Sequence, residues 1–173
     1  VNNAALELAE VEFENGGPQG GTAAVGRLEK LLDRKIDPQL RQLALYRLGI
    51  VQFDLKAYGD SAKAFEELLK DAPKNLEVSA AWQAGEARRE VARAANGDTR
   101  VQGLRVALAN YQTAAEAGST GGNDRELQRQ ALLRIGETHA SLEDWEASQK
   151  SYEKFITGNP NDKLIRTAHL GYG

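Results

Sequence analysis

Between Leu45 and Pro73 the apolar positions fall into two stripes at helical spacing. Leu45, Leu48 and Gly49 share one face of a first segment, and Tyr58, Ala62, Phe65, Leu68 and Leu69 share one face of a second. The pattern predicts two amphipathic helices joined by a short turn. Pro73 is expected to end the second helix, because proline lacks an amide donor and restricts the residue before it. The same skeleton returns from Leu132 to Pro160. A constant offset of 87 relates Leu45 to Leu132, Gly49 to Gly136, Tyr58 to Trp145, Phe65 to Tyr152, Leu68 to Phe155 and Pro73 to Pro160. These ungapped matches make an internal repeat.

The remaining segments extend the pattern. Residues 2–14 carry Leu6, Val11 and Phe13 among alanines and predict a helix. The glycines and proline of 15–21 predict a loop. Thr22 is then placed to cap a helix bearing Val25, Leu28, Leu31 and Leu32, which stops before Pro38. Residues 1–38 thus read as a divergent first hairpin with a long turn. Helices over 39–56 and 58–71 form the repeat 39–73. A helix from 76 to 95, a turn at 95–98 where Asn96 and Gly97 supply positive φ, and a helix over 100–117 form a divergent repeat, 74–122. Gly85 and Ala107 lie 22 residues apart, whereas Gly49 and Ser61 lie 12 apart, so this repeat is longer. The last full repeat, 123–160, holds a helix pair over 125–158. Residues 161–173 start again, with Leu170 and Gly171 matching Leu48 and Gly49.

Composition narrows the possible roles. Of the 173 residues, 41% are hydrophobic and 27% charged, the balance of a folded chain and not of a disordered one. Net charge is −3 and the cations are scattered, with Arg88 and Arg89 the densest pair; nucleic acid, which is held by clustered cations, is not an expected partner. No apolar run approaches the roughly 20 residues that span a bilayer, so no direct membrane insertion is expected. The absence of cysteine excludes disulfides and thiolate–metal sites and leaves the compartment open. The absence of methionine, together with the repeat begun at Leu170, predicts a piece of a longer protein.

No catalytic constellation, cofactor motif or metal-ligand spacing stands out, and neither an enzyme nor a cofactor is expected. His139 falls at a position that packs inside a hairpin. The glycine-rich 16–21 segment does not sit between a strand and a helix, as a phosphate loop would. Carboxylate pairs such as Glu66/Glu67 and Glu143/Asp144 suit solvated faces and helix N-termini.

Gly49, Gly85, Gly136 and Gly171 are spaced by 36, 51 and 35 residues. Helix–turn–helix units at such periods resemble the tetratricopeptide repeat family. The matching residues are Leu45, Leu48, Gly49, Tyr58, Ser61, Phe65 and Pro73 in one repeat, and Leu132, Ile135, Gly136, Trp145, Ser148, Tyr152 and Pro160 in the other. The middle repeat keeps only Gly85, Ala107, Tyr111 and Ala114. The resemblance covers 40–171 well and 1–38 loosely. It implies an all-α fold, a right-handed superhelix of about four helical hairpins plus a truncated final helix, in a single solenoid domain over 1–173. The glycines would let paired helices approach closely, against a helix-propensity cost of roughly 1 kcal/mol. Phe65 and Tyr152 would fill the space between hairpins.

In that family the first helix of each pair lines a concave peptide-binding face. Carried over position by position, the groove residues are Tyr46, Ile50 and Phe53 in the first clear repeat, Trp82, Glu86 and Arg89 in the middle one, and Leu133 and Glu137 in the last. The alternative is that the N-terminal pair or the long middle helices cover Tyr46 and Trp82 as ordinary core. Trp145, at the turn position of Tyr58, is expected to pack. Tyr46 and Ile50 stand where some members carry a two-carboxylate clamp of Lys, Asn and Arg, so that clamp is absent. The phrases AFEELLKDAP and SYEKFITGNP are similar to bacterial members, including periplasmic and lipoprotein scaffolds of envelope assembly; cytoplasmic scaffolds use them too.

The resemblance therefore implies a non-enzymatic scaffold that binds a protein or peptide partner in the concave groove. The competing reading is a structural spacer or self-association module within a larger protein.

Overall fold

A computed structural model describes residues 2–172. The fold is all-α, built from helical hairpins that divide into two compact units, 1–73 and 74–173.

The first unit contains α1 (Asn2–Asn15), α2 (Gly17–Leu32), α3 (Pro38–Asp54) and α4 (Tyr58–Leu68). The glycine-rich segment expected to be a loop is instead the start of α2, and only Gly16 separates it from α1. The glycines are there for proximity: a methyl group on Gly16 or Gly20 would collide with the Glu12 carbonyl, and one on Gly21 would press on Leu55. Thr22 lies inside α2 and returns its hydroxyl to the Pro18 carbonyl, so it caps nothing. Arg27 clasps Glu12 through Nε and Nη2 at 2.9 and 2.6 Å, pinning the two helices. Asp37 caps α3 by accepting from the Leu40 amide at 2.9 Å, and Pro38 occupies the first turn, where its missing N–H costs nothing. Ala24, Leu28, Leu31, Leu40, Ala44, Leu48 and Val51 form the core of this unit. Pro73 does not end the second helix: α4 stops at Leu68, and Pro73 stands immediately before the next helix.

The second unit contains α5 (Lys74–Arg93), α6 (Gly97–Glu116), α7 (Gly122–Ser141), α8 (Trp145–Gly158) and α9 (Ile165–Tyr172). Each helix packs on the next, and α5 neighbours α7, which neighbours α9. The extra length of the middle repeat lies in its helices: α5 and α6 have 20 residues each, against 17 in α3 and 11 in α4. Both helices bury small side chains, including Ala80, Ala84, Ala87 and Ala92 of α5 and Ala107 and Ala114 of α6, all fully buried. Gly97 alone supplies the positive φ of the α5–α6 turn; Asn96 is extended.

One device recurs in the hairpins α3–α4, α5–α6 and α7–α8. A glycine on the first helix lies under an aromatic ring of the second. A Cβ on Gly49 would come within 2.6 Å of Phe65, one on Gly85 within 2.5 Å of Tyr111 and one on Gly136 within 2.9 Å of Tyr152. The Tyr152 ring also blocks a side chain at Gly171 of α9, so it lies against glycines of two different helices.

The turns of the two clear repeats match bond for bond. After α3 the Lys56 and Ala57 amides donate to the carbonyls of Phe53 and Gln52; after α7 the Glu143 and Asp144 amides donate to those of Ala140 and His139. This is a Schellman closure. Lys56 and Glu143 take its left-handed position, each with φ of 61°.

Candidate functional site

The first helices of the hairpins carry the candidate residues, and each unit presents its own face. In the first unit α1 lies beside α3. Ile50 lines an open cleft there with Ala9, Phe13, Leu28 and Val51, and Glu10, Glu14 and Arg47 add charge to it. Arg47 Nε lies 2.7 Å from Glu10 Oε1, joining α3 to α1. Tyr46 and Phe53 are half-buried and engaged within their own hairpin. The Tyr46 ring meets Phe65 edge-on at 5.8 Å, and Phe53 meets Tyr58 edge-on at 5.1 Å. Leu43, one turn before Tyr46 on the same stripe, is 44% exposed.

In the second unit Trp82, Glu86 and Arg89 of α5 face Arg134 and Glu137 of α7. Glu86 Oε1 accepts from Arg134 Nε at 2.9 Å and from the Tyr111 hydroxyl at 2.6 Å. Glu137 Oε2 accepts from Arg134 Nη1 at 2.8 Å and lies 3.3 Å from Arg89 Nη2. The Arg134 guanidinium stands 5.8 Å from the centre of the Trp82 ring, and that ring lies 5.6 Å from Tyr111. Two arginines and two glutamates thus neutralise one another around a tryptophan. Trp82 is neither free groove nor full core; it is half-buried in this network.

The electrostatics follow from the packing. Burial, with the Glu86 carboxylate beside it, pushes the Tyr111 hydroxyl well above the usual phenol range, so it remains a donor. Burial opposes the Arg134 charge, but Glu86 and Glu137 outweigh it and hold the guanidinium above its ordinary pKa.

Leu133 does not belong to the face. It is 5% exposed and packs with Tyr152, Phe155 and Ala168 in the core of the last hairpin. Trp145 also departs from expectation: it is 66% exposed. Its counterpart Tyr58 packs on Phe53, but the residue equivalent to Phe53 is Ala140, so Trp145 has no ring to meet. His139 is mostly buried, as expected, with Nδ1 3.4 Å from Asp144 Oδ2.

Arg47 and Arg134 escaped the sequence reading, although the signal was present. They are related by the same offset of 87, within LeuTyrArgLeuGly and LeuLeuArgIleGly. Each reaches a glutamate on the first helix of the preceding hairpin of its unit. Among the described residues no group of three or more His, Cys, Asp or Glu side chains could hold a metal ion, and no helix is long and apolar enough to cross a membrane.

Comparison with known families matches residues 43–75 and 130–162 to the tetratricopeptide repeat. Comparison with curated proteins finds no match. The two matched segments are offset by the same 87 residues; they begin within α3 and α7, take in all of α4 and α8, and end at Asn75, just inside α5, and at Asp162, before α9. The match supports tetratricopeptide repeats at 43–75 and 130–162, helical-hairpin units of a kind that generally mediates protein–protein interaction.

Proposed function

We propose that this chain is a non-enzymatic scaffold that holds a protein or peptide partner against the first helices of its hairpins. The carrying observation is the open cleft between α1 and α3 lined by Ile50 and Phe13, with a second cleft between the same helices lined by exposed Leu43. Apolar side chains at a concave site, flanked by a few charges, suit an apolar anchor on an extended or helical peptide. Tyr46 and Phe53 support this face from behind through Phe65 and Tyr58. In the second unit the edge of Trp82 and the charges of Glu86, Arg89, Arg134 and Glu137 offer polar contacts that stay neutral overall.

The test is a displayed-peptide selection on the purified chain, followed by affinity measurement on Leu43→Glu/Ile50→Glu. Each position lines one of the two clefts between α1 and α3, and both spare the rings of Tyr46 and Phe53. Selected peptides should bind the double variant at least about tenfold more weakly while its circular dichroism is unchanged. Peptides that bind both proteins alike would overturn the reading.

One observation favours the structural alternative, a spacer or self-association module. Leu170 of α9 is 77% exposed, whereas Leu48 at the equivalent repeat position is 7% exposed. Sedimentation over a range of concentrations decides it: self-association abolished by Leu170→Glu would support that role, and a concentration-independent monomer would oppose it.

A further inference from the structure

The edge of the second unit carries a groove that the first-helix faces do not share. It runs between the α5–α6 turn and the α7–α8 turn and has a volume of about 330 Å³. Leu104 and Leu142 give it apolar lining, and Val101, 39% exposed, adds an apolar wall. Asp98 and Glu143 line it as well, with Arg100 as the one lining cation. Two residues on from Glu143, a reach of at most about 7 Å along the chain, stands the exposed ring of Trp145.

The charges around it are unevenly balanced. Glu146 pairs with Lys150 at 2.6 Å, and Asp144 caps the Ala147 amide with one oxygen while the other lies 3.4 Å from His139 Nδ1. In the lining itself, Asp98 and Glu143 outnumber Arg100. A large solvent-facing indole near a groove whose carboxylates outnumber its cation is complemented by a cation that ring face and carboxylates attract, carried on a side chain with an apolar stem. The groove lining accepts an apolar neighbour of that cation.

We propose that this edge groove docks a basic segment of a partner protein, with an arginine or lysine over Trp145 between Asp98 and Glu143 and an adjacent apolar residue against Leu104 and Leu142. The surface lies at the turns of the second unit, so it adds a contact beyond the first-helix faces and stands or falls independently of them.

The test uses the whole chain labelled with 5-fluorotryptophan, whose two ¹⁹F resonances are assigned with Trp145→Phe. The probe is the peptide Gly-Arg-Leu-Arg-Gly, with Gly-Glu-Leu-Glu-Gly as its control. The basic peptide should shift the Trp145 resonance saturably and leave Trp82 unmoved; the acidic peptide should shift neither. Asp98→Asn/Glu143→Gln, with unchanged circular dichroism, should weaken the basic peptide about fivefold, as two solvent-exposed charge contacts allow. No saturable shift, an equal shift with the acidic peptide, or undiminished affinity in the double variant would overturn the proposal. A Trp145 shift that follows protein concentration without peptide would also overturn it, by assigning the groove to a second copy of the chain.

Discussion

Arg134 crosses from α7 to α5 and donates through Nε to Glu86 at 2.9 Å. Arg47 makes the corresponding crossing from α3 to Glu10 of α1 at 2.7 Å. The repeat has thus kept a bond that lies between hairpins, in addition to those that close each hairpin. Its worth depends on surroundings. The Arg134 and Glu86 side chains are 30% and 20% exposed, those of Arg47 and Glu10 50% and 34%.

Glu86→Gln should therefore destabilise by about 2 kcal/mol, since it leaves two partly buried guanidiniums with a single carboxylate and weakens the Tyr111 bond. Glu10→Gln should cost less than about 1 kcal/mol, as expected for an exposed pair. Urea denaturation of the two variants checks the ordering, and equal losses would refute it.

The hydroxyls of Ser61 and Ser148 donate to the carbonyls of Gly49 and Gly136 at 2.8 and 2.9 Å, both out of solvent. The middle hairpin has Ala107 at that position and closes without the bond. Ser148→Ala should fold and lose about 1 kcal/mol. A thermal scan showing no loss would mean that the bond contributes nothing beyond packing.

Gly49→Ala sets helix propensity against space. The substitution gains roughly 1 kcal/mol of propensity, but its methyl would lie 2.6 Å from Phe65, and such overpacking costs about 1–3 kcal/mol. The ring has little room to yield, because Phe65 is fully buried, so the net effect should be a loss. Gly26, within α2, has nothing within 4 Å of a Cβ, and Gly26→Ala should stabilise by up to about 1 kcal/mol. Denaturation midpoints moving in opposite directions would bear this out; a stabilised Gly49→Ala would refute the close-approach account.

This pair of glycines also shows where the sequence was legible. Where a glycine sat inside a strong apolar period, as at Gly49 and Gly136, the helix and its close approach to its partner were both readable, though not which ring covers the glycine. Gly16, Gly20 and Gly21 sit where apolar periodicity is weak, so glycine there suggested a loop. Their true reason, the Glu12 backbone for Gly16 and Gly20 and the Leu55 side chain for Gly21, is a matter of packing. Trp145 failed for a related cause: its packing depended on the ring missing at Ala140, which a match between turn positions does not reveal. Leu133 failed because a groove position transferred from another repeat does not report which side chains its own neighbours cover. Tyr46, Ile50 and Phe53 could be carried over from the family's groove positions, but the transfer did not reveal that two of the rings were already engaged.

A pH dependence follows from Glu126 at the start of α7. Gln130, Lys163 and Arg129 hydrogen-bond its carboxylate and lower its pKa from 4.5 to about 2. A depressed carboxylate contributes stability that is fully present above its unfolded pKa and is lost as pH falls through its folded one. The window therefore runs from about pH 4.5 down to about pH 2. Wild type should exceed Glu126→Gln in melting temperature at pH 6, and the difference should shrink across that window. A difference independent of pH would count against the assignment.

The placement of Tyr152 against both Gly136 and Gly171 bears on cooperativity. In a linear array, stability separates into the intrinsic stability of each unit and the coupling between neighbours. Most core side chains enter one of these quantities. Tyr152 enters both, because one ring closes its own hairpin and also seats the helix that follows. Its loss would therefore lower the local stability and shorten the distance over which folding propagates along the chain.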